Sequence, residues 1–196
     1  MTRPSRRSLI AGLALMLGLA ACSGSPNPVL YTLAPVAGPQ RNIGPRVIVL
    51  QQVGIERYLE RTQIVRSSEN YKLDVMANDW WGEPLAAMIG RVLAAELGQR
   101  LPGSTVISEG GVVMAKADAT VAVNVQRLDL DGAGQLILQA QVSAGFSGRG
   151  EPRLQSFRFA VPPSNPTTAG EVAAISVALG KLADGIAEMV AAGPPA

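Results

Sequence analysis

The chain has 196 residues, 17 of them basic and 15 acidic, with no histidine and one cysteine. A chain of this length fits one domain, which its core must stabilise because one cysteine cannot form an internal disulfide. The composition excludes metal sites built from His and Cys, and every catalytic arrangement that pairs a nucleophile with a histidine.

The first 21 residues have the pattern of a secretory signal peptide. Arg3, Arg6 and Arg7 precede an apolar run over residues 9–21, which is shorter than the roughly 20 residues that a membrane-spanning helix needs. Cleavage would leave 14 basic and 15 acidic residues, so nothing indicates a basic surface for nucleic acid. We therefore predict a signal peptide over 1–21 that the mature protein lacks.

The cysteine follows this run directly. Leu19-Ala20-Ala21-Cys22 resembles a bacterial lipobox, whose cysteine becomes the first mature residue and carries a diacylglyceryl group and an N-acyl chain such as palmitate. Two or more acyl chains hold a protein stably on a membrane. Ser23 resembles the sorting signal of lipoproteins in the outer membrane of Gram-negative cells, facing the periplasm. We predict lipidation of Cys22 and this location; the alternative is an ordinary secreted protein with one free thiol.

Residues 22–45 are rich in proline, glycine and serine, which predicts a flexible tether that lets the folded domain stand off the membrane. Within this tether, 29–33 has the composition of a short edge strand. A single domain is predicted over 46–192, followed by a tail over 193–196. The domain begins with the β-branched run 46–51, which suits a strand that is buried on both faces.

The next segment predicts a hairpin and a helix. The hairpin has strands at 62–66 and 71–76, joined through a turn at Glu69-Asn70. The helix begins near Pro84, ends before Pro102-Gly103 and has one apolar face. A short strand is expected at 104–108.

The last part predicts an antiparallel meander and a second helix. Strands are expected at 120–131, 135–146 and 153–161, with a bulge where the apolar positions step from Val125 to Leu128. The second helix, capped near Thr167, has a narrow apolar seam that packs on the sheet or, alternatively, binds a coiled-coil partner. The predicted fold class is α+β, a mostly antiparallel β-sheet with two main helices packed on one face.

Catalytic chemistry has little support in the sequence. The glutamates between residues 56 and 69 are interspersed with arginines, a pattern typical of a solvated surface. Asp129 and Asp131 have the spacing of paired carboxylates, but they adjoin a turn, where Asp is common for backbone reasons. We predict no enzyme activity, no catalytic residue, no metal and no cofactor apart from the acyl groups on Cys22. A hydrolase that uses Ser or Asp without His is a minor alternative.

Two stretches are candidates for a partner surface. Trp80 and Trp81 are neighbours, so on a strand or helix one of them is expected at an interface, unless both pack across the helix start. Residues 58–66 combine a tyrosine, arginines and aliphatic side chains that we expect to be exposed, or else they form a plain hairpin. The candidate interface residues are Tyr58, Leu59, Arg61, Gln63, Ile64, Val65, Trp80, Trp81, Glu83 and Pro84.

The order of several short motifs resembles a known family. Tyr31-Thr32-Leu33, Arg46-Val47-Ile48-Val49, Tyr58-Leu59-x-Arg61-x-Gln63-Ile64-Val65 and Trp81-x-Glu83-Pro84-Leu85 follow the lipobox as in the PqiC-type lipoproteins, also called ABC-type transport auxiliary lipoprotein components. The resemblance implies a non-catalytic subunit, anchored in the outer membrane, of an MCE-type transport system. It also implies an MCE-family periplasmic protein as partner and a homo-oligomeric ring of identical copies.

From the lipobox and this resemblance we predict a lipid-anchored periplasmic adaptor of an MCE-type ABC transport system. Such a system moves lipids or hydrophobic solutes between the inner and outer membranes and supports membrane integrity. The alternative is a stand-alone outer-membrane lipoprotein that binds a lipid in its own pocket, between the sheet and the helices.

Overall fold

The computed structural model describes residues 27–110, 115–148 and 150–194. The predicted signal peptide, Cys22 and Ser23 lie outside the described residues. In the described ranges the strands are β1 (Val29–Tyr31), β2 (Val47–Leu50), β3 (Gly54–Ile55), β4 (Gln63–Ser67), β5 (Asp74–Trp81), β6 (Thr105–Ser108), β7 (Ala119–Leu130), β8 (Leu136–Phe146) and β9 (Arg153–Val161). The helices are α1 (Leu85–Arg100) and α2 (Thr168–Ala191), and a 3₁₀ turn (Arg57–Leu59) precedes β4. None of the helices in these ranges is long and apolar enough to span a bilayer.

The strands form one sheet built around β7. One edge of β7 pairs with β8, and β8 pairs with β9, both antiparallel. Three strands, β2, β3 and β4, pair one after another with the other edge of β7, and all three run parallel to it. β6 joins β2 and β1 joins β5, both parallel, while β4 and β5 form the antiparallel hairpin. The predicted α+β class is confirmed: the longest ladders are antiparallel, although the short ones are more often parallel than the sequence indicated.

The bulge predicted in β7 is present. Val125 pairs with Ala140 and Arg127 with Gln139, so Gln126 is the extra residue. Beyond the bulge Leu128 is buried, as Val125 is before it. One extra residue moves the following side chains to the opposite face. The bulge therefore keeps the apolar positions of β7 in the core although their spacing in the sequence changes.

Two strands differ from their predictions. Residues of β2 alternate between half-buried and buried, so only one face of the strand is fully covered, and the prediction of burial on both faces is wrong. The second hairpin strand begins at Asp74, three residues after Tyr71. Asn70 and Tyr71 have positive φ angles, which extend the turn and delay the strand. The strand then continues through Trp81, so the tryptophans end a strand.

Both helices cover one face of the sheet. α2 packs on β8 and β9 and alongside α1. The cap of α2 is confirmed, because the Oγ1 of Thr167 accepts a hydrogen bond from the Gly170 N–H (3.2 Å). The apolar seam of α2 is buried and consists of Val172, Ile175, Leu179, Leu182, Ile186 and Met189. Since this seam lies against the chain's own sheet and α1, the structure favours helix-on-sheet packing over a coiled-coil partner.

The segment after β1 is part of the folded body. Leu33 is buried, and the Val36 N–H donates to the Oε1 of Glu96 in α1 (2.8 Å). The Val36 carbonyl accepts from Arg100 (3.0 Å), and the Arg41 N–H donates to the Arg100 carbonyl (2.6 Å). The sequence predicts a flexible tether as far as residue 45, whereas residues 29–31 pair with β5 and residues 33–41 contact the helices. Fewer residues therefore separate Cys22 from the folded body than the sequence indicated.

Candidate functional site

The two candidate stretches meet at one cleft with a volume of about 780 Å³. Three segments line it: the connection between β2 and β3, the loop between the 3₁₀ turn and β4, and the junction of β5 with α1. The lining residues are Gln52, Val53, Gly54, Ile55, Glu60, Arg61, Thr62, Trp81, Gly82, Glu83, Pro84, Leu85 and Ala86. Thr62 and Trp81, which are 19 residues apart in the sequence, thus line a single surface feature.

Backbone hydrogen bonds fix the three segments relative to one another. The Trp81 N–H donates to the Thr62 carbonyl (2.7 Å) and joins the second segment to the third. The Gly82 N–H donates to the Tyr31 carbonyl (2.9 Å), so β1 supports the same junction. The first segment is held by β3, which pairs with β7. Because the main chain sets its shape, the cleft is formed before any ligand arrives, as is usual for binding sites.

The cleft combines apolar side chains with charged groups. Trp81 and Leu85 line it and are largely buried (6% and 4% exposed). Glu83 also lines it, and its Oε1 forms an ion pair with the Nη2 of Arg91 (2.6 Å). Arg61 is exposed. An apolar centre with a polar rim is typical of surfaces that bind other proteins.

The structure places the ten predicted interface residues in three groups. Those that line the cleft are Arg61, Trp81, Glu83 and Pro84. Those buried in the core, away from the cleft lining, are Leu59, Ile64 and Val65. Those half-buried elsewhere are Tyr58, Gln63 and Trp80. The expectation of exposed aliphatics is therefore wrong, because register shifts along β4 bring neighbouring residues into the core together. A partner-contact role for the remaining residues stays a prediction.

The tryptophans behave as neighbours on a strand. Trp81 is buried, whereas Trp80 is half-buried and donates its indole N–H to the Ala77 carbonyl (2.9 Å).

Sequence reasoning missed residues 52–55, which complete the cleft. Their only signal was Gly54 after a β-branched run, and their position depends on the pairing of β3 with β7, which the sequence pattern does not display.

A buried polar cluster lies next to the loop between the 3₁₀ turn and β4, which is one of the segments that line the cleft. Asp129 is fully buried, and its carboxylate accepts hydrogen bonds from the Tyr58 hydroxyl (2.9 Å) and the Ser68 hydroxyl (2.6 Å). The Nε of Arg127 donates to the same carboxylate (2.8 Å), and its Nη2 donates to Glu69 (2.6 Å). Hydrogen bonds that involve charged groups are stronger than those between neutral groups. The cluster therefore holds β7 against the residues before and after β4.

This cluster has the properties of a structural element. Burial and the Asp129 carboxylate raise the pKa of the Tyr58 hydroxyl. Burial opposes the charge of Arg127, but the carboxylates of Glu69 and Asp129 outweigh it and raise the pKa of the guanidinium. Asp131 instead accepts two backbone N–H groups of the β7–β8 turn (2.9 Å each), so it does not pair with Asp129. Among the residues that the structure describes, no acidic group of three or more is placed to hold a metal ion.

A second buried cluster clamps the N-terminal segment to both helices. Arg100 is 1% exposed and donates to the carbonyls of Val36 and Gly180 (3.0 Å each) and to the Asp184 carboxylate (2.6 Å). Glu96, one turn earlier in α1, is fully buried, and its Oε2 has no hydrogen-bond partner among the described residues. Burial raises the pKa of Glu96 to about 7.

Glu171 is a second buried glutamate, in the first turn of α2. Its Oε2 lies 3.8 Å from the Nε of Arg66, and its Oε1 has no hydrogen-bond partner in the described part of the chain. Burial raises the pKa of Glu171 to about 7, although the arginine acts in the opposite direction. Neither glutamate lines the cleft, so both affect the protein through its stability.

Comparison with known proteins places these features in context. A family model described as "ABC-type transport auxiliary lipoprotein component" matches residues 31–187. The chain is 30% identical over 137 residues to the intermembrane transport lipoprotein PqiC of Escherichia coli (strain K12), covering 68% of this chain and 72% of that protein. The Shigella flexneri protein of the same name matches to the same extent.

Two crystal structures share the fold. One, of an uncharacterized protein, has a TM-score of 0.69 at 19% identity, covering 83% of this chain and 98% of the other. The second, of a Xanthomonas campestris protein, has a TM-score of 0.67 at 16% identity, covering 81% and 92%. At these identities the similarity establishes the arrangement of strands and helices, and the functional argument comes from the family match and the cleft.

Proposed function

This chain belongs to the family of ABC-type transport auxiliary lipoprotein components, and from this membership we propose that it is a periplasmic adaptor. In this proposal acyl chains on Cys22 anchor it in the outer membrane, facing the periplasm. Its folded domain docks an MCE-type protein whose ABC transport system moves lipids or hydrophobic solutes between the membranes and supports membrane integrity. The observation that carries the proposal is the cleft, because it brings both candidate partner-contact stretches together. The family match gives the kind of system to which such a contact surface would belong.

The anchor is the first part of the proposal. Cys22 is the only thiol in the chain, and it follows a signal-like run directly. Two or three acyl chains bind a membrane far more firmly than a single chain does. In cells, the wild-type protein is expected to fractionate with outer membranes and to yield an acylated N-terminal peptide by mass spectrometry. Cys22→Ser is expected to lose both properties, and wild-type protein without acylation would contradict this part.

Partner docking is the second part. Trp81 and Leu85 form the apolar floor of the cleft with the little surface that they expose, and the exposed Arg61 and the Glu83–Arg91 ion pair lie at its rim. At protein interfaces a few residues, often Trp, Tyr or Arg, that lose their exposure on binding carry most of the energy, and charges at the rim set orientation and association rate. Arg61 is the residue of this kind that the cleft exposes. A folded, acylated adaptor of this kind needs no catalytic group, which fits the use of Asp129 as a satisfied structural anion.

The docking surface is tested by reversing a charge in the cleft. Arg61→Glu in the full-length lipoprotein is expected to weaken co-purification with the MCE-type partner by about tenfold, equivalent to about 1.4 kcal/mol. Arg158→Glu, an exposed position on β9, is the matched control and should bind as the wild type does. If the two variants retain the same amount of partner, the cleft is not the docking surface.

A homo-oligomeric ring, the remaining part of the proposal, is tested by the mass of the detergent-solubilised assembly.

The alternative function is a lipid carrier in its own right. It requires a pocket between sheet and helices, and that space is occupied by side chains such as Leu93, Leu97 and Leu179, all fully buried. Mass spectrometry of lipids extracted from the purified protein separates the two functions. A single lipid in addition to the anchor, at one per chain, would favour the carrier over the adaptor.

A further inference from the structure

The chain enters the folded body at one particular edge. β1 is the first described strand, and it runs parallel to β5, with Val29 opposite Asp79 and Tyr31 opposite Trp81. The start of β1 therefore points toward the start of β5, where the turn between β4 and β5 lies. Residues before Val29 come from the side of that turn.

The length of the preceding chain limits where Cys22 can lie. Val29 is the seventh residue after Cys22, and this stretch spans at most about 25 Å when fully extended. Along β5, Asp79 is the fifth residue after Asp74, which corresponds to about 17 Å in a strand. The β4–β5 turn lies a few residues further on. Cys22 can therefore reach about the level of this turn, and hardly beyond it.

Exposed apolar side chains lie at both ends of this edge, on β1 and at the β4–β5 turn. Val29 and Leu30 are 53% and 64% exposed, and at the turn Tyr71 is fully exposed and Leu73 is 37% exposed. These are four of the seven large apolar residues that are exposed among the described residues. Lys72 lies between the last two. Tyrosine is enriched at the level of lipid headgroups, and lysine interacts with anionic ones.

The turn holds Tyr71 in an unusual backbone conformation. Asn70 and Tyr71 have φ angles of 56° and 62°, which bulky residues rarely adopt. The buried cluster described above supports this conformation, because Glu69 is bound to Arg127 and the Lys72 N–H donates to the Glu69 carbonyl (3.2 Å). Strained residues that a rigid frame supports are often functional. Here the frame presents a tyrosine to the outside.

We propose that the β4–β5 turn forms a membrane-contact surface, which we name the foot, made of Tyr71, Lys72 and Leu73. Val29 and Leu30, opposite Asp79 and Trp80, lie on the β1 edge at the other end of β5 and are not part of it. The foot lies on the bilayer leaflet that holds the acyl chains of Cys22, so this inference rests on the lipidation in the proposed function. Trp81 is at the opposite end of β5 from the turn. With the foot on the bilayer, the cleft is directed away from it and toward the periplasm, where a partner approaches.

The foot is tested with a fluorophore at single positions in the full-length lipoprotein. Acylation consumes the thiol of Cys22, so Tyr71→Cys supplies the only free thiol for an environment-sensitive label. Leu154→Cys is the matched control, because Leu154 is 73% exposed and lies on β9, away from the foot. Both labelled proteins are reconstituted in vesicles of phosphatidylethanolamine and phosphatidylglycerol that contain a spin-labelled lipid as quencher.

The proposal predicts a blue-shifted emission and quenching by the spin-labelled lipid at position 71, and neither effect at position 154. Mass spectrometry of the N-terminal peptide separates the two ways in which this can fail. If Cys22 is acylated and position 71 behaves as position 154 does, the foot is refuted while the anchor stands. If Cys22 is not acylated, the anchor and the foot are both refuted.

Discussion

The fully buried carboxyl group of Glu96 makes the stability of this protein depend on pH. Its pKa is raised from 4.5 to about 7 because the group is buried. A shift of one pKa unit corresponds to about 1.4 kcal/mol, so this shift corresponds to about 3 kcal/mol. The stabilisation from protonated Glu96 is complete below the pKa of the unfolded chain and is lost as the pH rises through about 7. Glu171, with a pKa also raised to about 7, contributes a similar loss over the same range.

The substitution Glu96→Gln removes this dependence at one of the two sites. The amide oxygen still accepts the Val36 N–H, while the amide nitrogen takes the place of Oε2, which has no partner among the described residues. An unpaired buried polar group costs about 1–3 kcal/mol at every pH, so it shifts the stability curve without changing its slope. We therefore expect the loss of unfolding free energy between about pH 4 and pH 8 to decrease from about 6 to about 3 kcal/mol.

Urea unfolding, followed by tryptophan fluorescence at several pH values, measures this effect. The double variant Glu96→Gln and Glu171→Gln should show almost no dependence over the range. Glu60→Gln is the control, since Glu60 is exposed and should leave the dependence as in the wild type. If Glu96→Gln and the wild type lose stability in parallel as the pH rises, the buried carboxyl group is not the cause and the reasoning fails.

Four further substitutions test the packing. Arg100→Leu should destabilise by about 3 kcal/mol in urea unfolding, because it leaves the carbonyls and carboxylate of the clamp without their donor; an unchanged midpoint would contradict the clamp. Gly98→Ala should stabilise α1 by about 0.5–1 kcal/mol, because its Cβ would meet no other atom. Gly185→Ala should destabilise the protein by about 1–3 kcal/mol, because its Cβ would meet the Phe157 ring. Changes in unfolding free energy of the same sign would contradict the packing of these helices. Trp81→Ala should cost about 3–5 kcal/mol, so a loss of partner binding in that variant counts only if it remains folded by circular dichroism.

The parts of the fold that the sequence predicts well are those that local chemistry determines. The cap at Thr167 and the regular spacing of the seam specify α2 within the chain's own sequence, and the bulge in β7 follows from the spacing of Val125 and Leu128. These features need no knowledge of distant residues. The resemblance to a family, carried by short motifs in order, likewise agrees with the family match over residues 31–187.

The parts that the sequence predicts poorly depend on contacts between distant segments. Arg100 and Glu96 have the residue types of a solvated helix face, yet both are buried because residues 33–41 cross over them. Ile64 and Val65 are neighbours, and strict alternation would expose one of them, but the irregular pairing of β4 with β5 buries both. The sequence predicts two separate candidate stretches. Only the pairing of the strands shows that both contribute residues to one cleft.

Site-specific photo-crosslinking from the cleft is the most direct test of the adaptor function. A photoreactive amino acid is placed at Thr62, whose side chain is exposed and lines the cleft, in the full-length lipoprotein in cells. The proposal predicts one dominant adduct with the MCE-type periplasmic protein at this position and none at Leu154, the exposed control on β9. Equal labelling at both positions, or no adduct with a transport protein at Thr62, would contradict it.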